Sequence, residues 1–274
     1  MGKATVPAAL LAESADLDAA ALAFLARRAQ VVYKTEAEIA GALARAGGRL
    51  VGFIDEGGCE VFVARFGESE GCTFTVVAFR GTEPRQEPAD IVADLDVRRE
   101  SLSMGLIEGD GESHKVKVHA GFQRGVDAVA TRLGRLLDAA YRLGPVYGCG
   151  HSKGGAETVL AAALWPWIFR AIATFGAPRC LNAEGAAAFR RHSSTRHYRV
   201  VNRCDMVPLV PPALTGWCHD REAVYIDGDG GIHWGLGAGS EWMLRSLDYR
   251  PGRGVLDHYV DRYIEALDKA AADG

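Results

Sequence analysis

The stretch GCGHSKGGAE, residues 148–157, puts four glycines, a histidine, a serine and a lysine between the apolar pair Val146-Tyr147 and the run Val159-Leu160-Ala161-Ala162. Glycine weakens helix and strand alike, by roughly 1 kcal/mol per helical position relative to alanine. A chain that accepts this cost repeatedly needs a sharp backbone turn, or needs another group to come close. Within the stretch, Gly150-His151-Ser152-Lys153-Gly154 fits GxSxG where strand pattern gives way to helix pattern. In that context serine sits on a strained corner, and the positions two before and two after it must be small. The helix that starts there directs free N–H groups and its positive dipole end toward a developing oxyanion. Ser152 is therefore a candidate nucleophile. Lys153 has the wrong spacing for a Ser-x-x-Lys dyad and is assigned a backbone role only.

The surrounding patterns predict alternating strands and helices. Residues 16–33 carry Leu17, Ala21, Phe24, Leu25 and Ala29 at helical spacing. RLVGFIDEGGCEVFVARF (49–66) reads as two strands around Glu56-Gly57-Gly58, and TFTVVAFR (73–80) as a strand covered on both faces. Residues 122–143 predict an amphipathic helix. A strand at 145–149, a helix from about 153, and a strand at 169–175 follow. Next come a helix near 183–191, a strand at 197–202, and a last amphipathic helix in VLDHYVDRYIEALDKA. This alternation predicts an α/β fold, a mostly parallel central sheet with helices on both faces. No repeat or linker divides the chain, so 1–274 reads as one domain.

Bulk properties exclude other classes. The chain has 274 residues, 48% apolar and 24% charged, with net charge −4, which gives no reason to expect nucleic acid or an anionic membrane as partner. The most apolar stretch, 159–175, contains Pro166 and Arg170 and is too short to span a bilayer. It reads as a buried helix and strand. The N-terminal residues lack a clear signal-peptide pattern, and the cysteines lack CxxC spacing. Together these features predict a cytoplasmic protein with reduced thiols. IDGDGG (226–231) lacks the rest of a calcium loop and reads as a turn between strands. No metal or cofactor is expected.

A serine nucleophile needs a base, and the base needs an orienting acid, in the chain order Ser, acid, His for this fold. Asp205, just past the strand HYRVVN, lies where a parallel sheet presents its active edge. Asp220, beside His219, is the competing acid. Local pattern does not choose between His233 and His258 as base.

Taken together the motifs resemble the class 3 lipases, the fungal-type α/β-hydrolase lipases. VVAFRGTE (76–83), VHAGF (118–122), GHSKGGA (150–156), TFGAPR (174–179), VNRCDMVPLVPP (201–212) and DHYVDRYIEAL (257–267) match that family's motifs in order. The resemblance covers about residues 20–266. It implies Ser152 as nucleophile, Asp205 as acid and His258 as base. It further implies an oxyanion hole from Thr82 and the Lys153 N–H, support of the oxyanion loop by Asp94, and a structural role for His119. Ester or lipid substrates are implied, with a lid-like segment near 83–110. Phospholipase A1 or acyltransferase activity would use the same triad, and a non-catalytic scaffold is the reading from another class. Lys153 replaces the family's usual leucine, and residues 83–101 lack the large apolar residues typical of the family's lids, with Ile91, Val92, Leu95 and Val97 as the larger aliphatics. Short- to medium-chain soluble esters are therefore the expected substrates, with little interfacial activation.

Overall fold

The computed structural model of the chain describes residues 6–12, 16–67, 72–82, 99–101 and 115–273. The elements that position the site are α1 (Ala19–Val31), α2 (Glu36–Arg45), β1 (Gly48–Glu56), β2 (Cys59–Phe66), β3 (Phe74–Phe79), α3 (Ala120–Tyr141), β4 (Val146–His151) and α4 (Lys153–Leu164). They continue with β5 (Phe169–Phe175), α5 (Ala183–His192), β6 (Arg196–Asn202), β7 (Ala223–Ile226), β8 (Ile232–Leu236), α6 (Ala238–Leu247) and α7 (Val260–Asp273). These eight strands form one sheet whose order follows the chain. The β3-β4-β5-β6-β7 core is parallel, and the pairs at both edges are antiparallel. A small antiparallel sheet joins Arg99–Ser101, Lys117–His119, Leu181–Asn182 and Trp217–Cys218.

Strand period explains the two-sided core. In β3, Val76 and Ala78 enter one apolar cluster with Phe24 and Leu25 of α1, while Val77 and Phe79 enter the other with Val126 and Leu133 of α3. All six β3 residues are buried, as a central parallel strand requires. The β1–β2 hairpin turns through Gly57 and Gly58, whose φ values of 59° and 78° are the positive angles a two-residue hairpin demands. Helix α2 starts with a capping box in which Thr35 and Glu38 satisfy each other's end.

The predicted continuous C-terminal helix is instead broken at 257–259, between a short turn at Arg253–Leu256 and α7. Two carbonyls that a helix would use internally are taken from outside it. Asn202 Nδ2 donates to the Asp257 carbonyl at 3.0 Å, and His151 Nε2 donates to the His258 carbonyl at 2.6 Å. Sequence reasoning also left β7, β8 and α6 unassigned. The turn at Asp227 between β7 and β8 is as read: its carboxylate accepts from the Asp229 and Gly231 N–H groups. All six cysteines are free thiols. Among the described residues no helix is long and apolar enough to cross a membrane.

Candidate active site

Strand β4 runs into α4 through Ser152, whose φ of 55° and ψ of −129° lie where few non-glycine residues go. The corner closes because its neighbours have no side chains. A Cβ on Gly150 would collide with the Gly154 carbonyl, and one on Gly154 with the Phe79 carbonyl. The tip of β3 crosses directly over this corner. A Cβ on Gly81 would strike the His151 carbonyl and Tyr33 Oη and stand 3.3 Å from Ser152 Cβ. Thr82, the next residue, is thereby held beside the elbow.

Ser152, His258 and Asp205 meet at the carboxyl ends of the central strands. The Ser152 hydroxyl lies 3.0 Å from His258 Nε2, and His258 Nδ1 lies 2.9 and 3.0 Å from the two Asp205 oxygens. All three side chains are buried. Asp205 also accepts from Tyr263 Oη at 2.5 Å and from the Val207 N–H at 2.9 Å. Burial alone would raise the Asp205 carboxyl, but the His258 imidazole and these donors outweigh it and hold it below the ordinary carboxylate value. The carboxylate is thus anionic and holds Nδ1–H on its own side. Nε2 is left free to accept from Ser152.

A further layer fixes this arrangement. His151 accepts from Tyr33 Oη at 3.2 Å and donates to the His258 carbonyl. Burial, with His258 nearby, pushes its pKa down to about 3, so it stays neutral under the base. Arg245 Nη2 donates to the Asp205 carbonyl. Lys153 Nζ turns away from Ser152 to the Gly58 carbonyl at 2.6 Å and to Glu157 at 3.2 Å. Glu157, completely buried in α4, has its pKa raised to about 7 by burial, with Lys153 working against the rise.

The other sequence candidates lie elsewhere. His233 pairs with Asp227 at 2.7 Å in the β7–β8 hairpin, whereas His258 meets Ser152. Asp220 bonds His197 at 2.9 Å rather than His258. His119 stacks on Phe122, ring centroids 4.1 Å apart, as a buried packing residue. Asp94 and most of the lid-like segment near 83–110 lie outside the described residues. Sequence reasoning missed Tyr263, Arg245, Tyr33 and Glu157. Tyr263 and Glu157 carried a signal, a hydroxyl on the apolar face of the last helix and a carboxylate in an alanine-rich apolar run. Arg245 and Tyr33 carried none.

Residues 76–215, just over half of the chain, match the family described as Lipase (class 3). A curated relative, "Secreted mono- and diacylglycerol lipase 1" of Fusarium solani, is 32% identical over 40% of this chain and 34% of its own length. "Toxin TseL" of Vibrio cholerae serotype O1 is 35% identical over 34% of this chain and 15% of its own length. The chain thus spans about a third or less of these curated relatives. Among solved structures, the triacylglyceride lipase of Rhizomucor miehei superposes with a TM-score of 0.66 at 23% identity, covering 86% of this chain and 90% of that one. The expectation of a cytoplasmic protein is corrected here. The fungal relative is secreted by name, which points outside the cell rather than to the cytoplasm. The parallel sheet, the GxSxG elbow and the match across 76–215 lead to one assignment: the chain belongs to the class 3 lipases, carboxylic ester hydrolases of the α/β-hydrolase fold.

Proposed function

We propose that the protein is a serine hydrolase that cleaves acylglycerol or short- to medium-chain carboxylic esters through an acyl-enzyme. The observation that carries this reading is the unbroken hydrogen-bonded line from Ser152 through His258 to Asp205, anchored on a strained elbow at a helix N-terminus. In this reading His258 Nε2 takes the Ser152 proton as the hydroxyl oxygen bonds the ester carbonyl carbon. Asp205 fixes the imidazole tautomer and stabilises the imidazolium. The Lys153 N–H, with the N–H and hydroxyl of Thr82, receives the oxyanion. His258 then gives its proton to the leaving alcohol, and water repeats the attack on the acyl-enzyme. Asp94 would brace the oxyanion loop. The chain acts as one domain, with the segment near 83–110 as a cap or fixed rim.

Apolar side chains around the acid and base support a lipid-like substrate. Met206 and Leu209 follow Asp205, and Leu256 and Tyr259 flank His258; their exposures lie between 38% and 48%. The deciding test is labelling by a fluorophosphonate, followed by rates on p-nitrophenyl and glyceryl esters of increasing chain length with a phospholipid included. A single adduct on Ser152 and fastest turnover of soluble short to medium chains are expected. Absence of an adduct on folded protein would leave the scaffold reading. A phospholipid turned over faster than any glyceryl ester would make the protein a phospholipase.

A further inference from the structure

Behind the triad, on the sheet face that carries α6, lies a cavity of about 950 Å³ that the ester chemistry does not use. Its walls include Arg179, Arg199 and Arg245, with Glu241 between the latter two. Arg199 lies at 4% exposure and Arg245 at 8%. Arg199 Nη2 meets Glu241 at 2.5 Å and Nε meets the Arg221 carbonyl at 3.0 Å. Its Nη1 has no hydrogen-bond partner among the described residues, and neither does Nη1 of Arg245, which stands 3.7 Å from Glu241. Asp220, also in the wall, is occupied by His197. Positive charge therefore exceeds what the buried carboxylates neutralise, and two buried donors stand idle. Idle buried donors are costly and uncommon.

Two independent features converge on the same space. Helix α6 is ten residues long and begins at this cavity: Gly237 and Ala238 line it, and Gly237 as N-cap offers no side-chain cap. Its positive end adds to the arginines. The mouth is framed by Trp234 and Trp242, exposed at 47% and 70%, while Trp217 is buried in the wall. The cavity is far larger than a bare oxyanion and offers aromatic surface to an organic group.

We propose that this cavity binds the phosphate group of a small phosphate ester, with Arg199, Arg245 and the α6 N-terminus as donors and the tryptophans against the organic part. A carboxylate would occupy fewer of these divergent donors than a tetrahedral oxyanion does. The cavity shares Arg245 with the layer behind Asp205, but the proposal does not depend on the assignment of the ester-cleaving residues.

The test uses the whole chain, titrated with inorganic phosphate and with glycerol phosphate against chloride at constant ionic strength. Unfolding midpoint and tryptophan fluorescence are read. A saturable response is expected, with the midpoint rising by about 5 °C at a hundredfold excess over Kd. Two exposed rim positions give opposite shifts. Ala238→Glu should weaken phosphate about tenfold, and Glu222→Lys should tighten it several-fold. Pelleting with phosphatidic acid vesicles, against phosphatidylcholine vesicles, separates a lipid headgroup from a soluble ester as the natural source. Absence of saturable binding in every arm overturns the proposal. So does a response that either variant leaves unchanged or moves in the wrong direction.

Discussion

The described residues contain two hydroxyl–imidazole–carboxylate lines with nearly the same lengths. In one, Ser152, His258 and Asp205 are linked at 3.0 Å and 2.9–3.0 Å. In the other, Thr174 Oγ1 lies 2.9 Å from His197 Nε2, and His197 Nδ1 lies 2.9 and 3.0 Å from Asp220. In both, the aspartate is held below the ordinary carboxylate value, burial opposing and the imidazole prevailing. Hydrogen-bond geometry and charge therefore do not distinguish them. Backbone does. Thr174 sits inside regular strand β5, with its hydroxyl between sheet and helices. Ser152 occupies a positive-φ corner with the first turn of α4 beginning at its own carbonyl and the β3 tip folded over it. A nucleophile requires a place for the oxyanion as well as a base, and the strand provides none.

The largest expected effect separates the two lines directly. Ser152→Ala and His258→Ala should each lower kcat about 10⁴-fold or more, with the double variant little worse, and Asp205→Asn should cost about 10⁴-fold. Thr174→Val and Asp220→Asn should leave kcat within about threefold. Their cost should be stability, about 1–3 kcal/mol for a buried partner left unpaired, read by denaturant unfolding. A collapse of kcat in folded Asp220→Asn would dissolve the distinction.

Next in size is the oxyanion donor proposed at Thr82. Thr82→Val should lower kcat roughly 10²-fold with KM little changed, because such a donor acts in the transition state. Thr82→Ser should be mild. An effect confined to KM would move Thr82 from the oxyanion to the substrate body.

The smallest effect concerns what lies behind the elbow. Glu157 has its pKa raised from 4.5 to about 7 in the folded chain, chiefly by burial. Between those values the folded state keeps a proton that the unfolded state has released. This contribution is complete below about pH 4.5 and is lost as pH rises through 7. Glu157→Gln should therefore gain on the wild type by roughly 3 kcal/mol from pH 4 to pH 8, measured as unfolding free energy. A pH-independent difference would show that Lys153 keeps Glu157 ionised throughout.

Much of this architecture was legible because it rests on short-range rules. The β3 run, the Gly57-Gly58 hairpin and the glycines of the elbow each state their conformation locally. The order of Ser152, Asp205 and His258 was legible through the family's motifs. What escaped depends on distant partners. β7 has four residues, Ala223–Ile226, too short to show a period, and β8 is interrupted by Gly235. The break before α7 is imposed by Asn202 and His151, more than fifty positions upstream. Thr174 and His197 lie on two strands and Asp220 on a loop beyond them, so no short window of sequence displays them together.

The double anchoring of the 257–258 backbone has an evolutionary side. The base is tied to the sheet from outside its own loop, its main-chain carbonyls held by Asn202 of β6 and by His151 at the elbow. Between Met206 and Gly252 the chain adds β7 and β8 to one edge of the sheet, and from α6 Arg245 reaches back to the Asp205 carbonyl. Apart from Arg245, such a segment is a natural ground for insertion, shuffling and new pockets, since the backbone that carries the imidazole is held from outside it. The arginine-lined cavity lies largely within it.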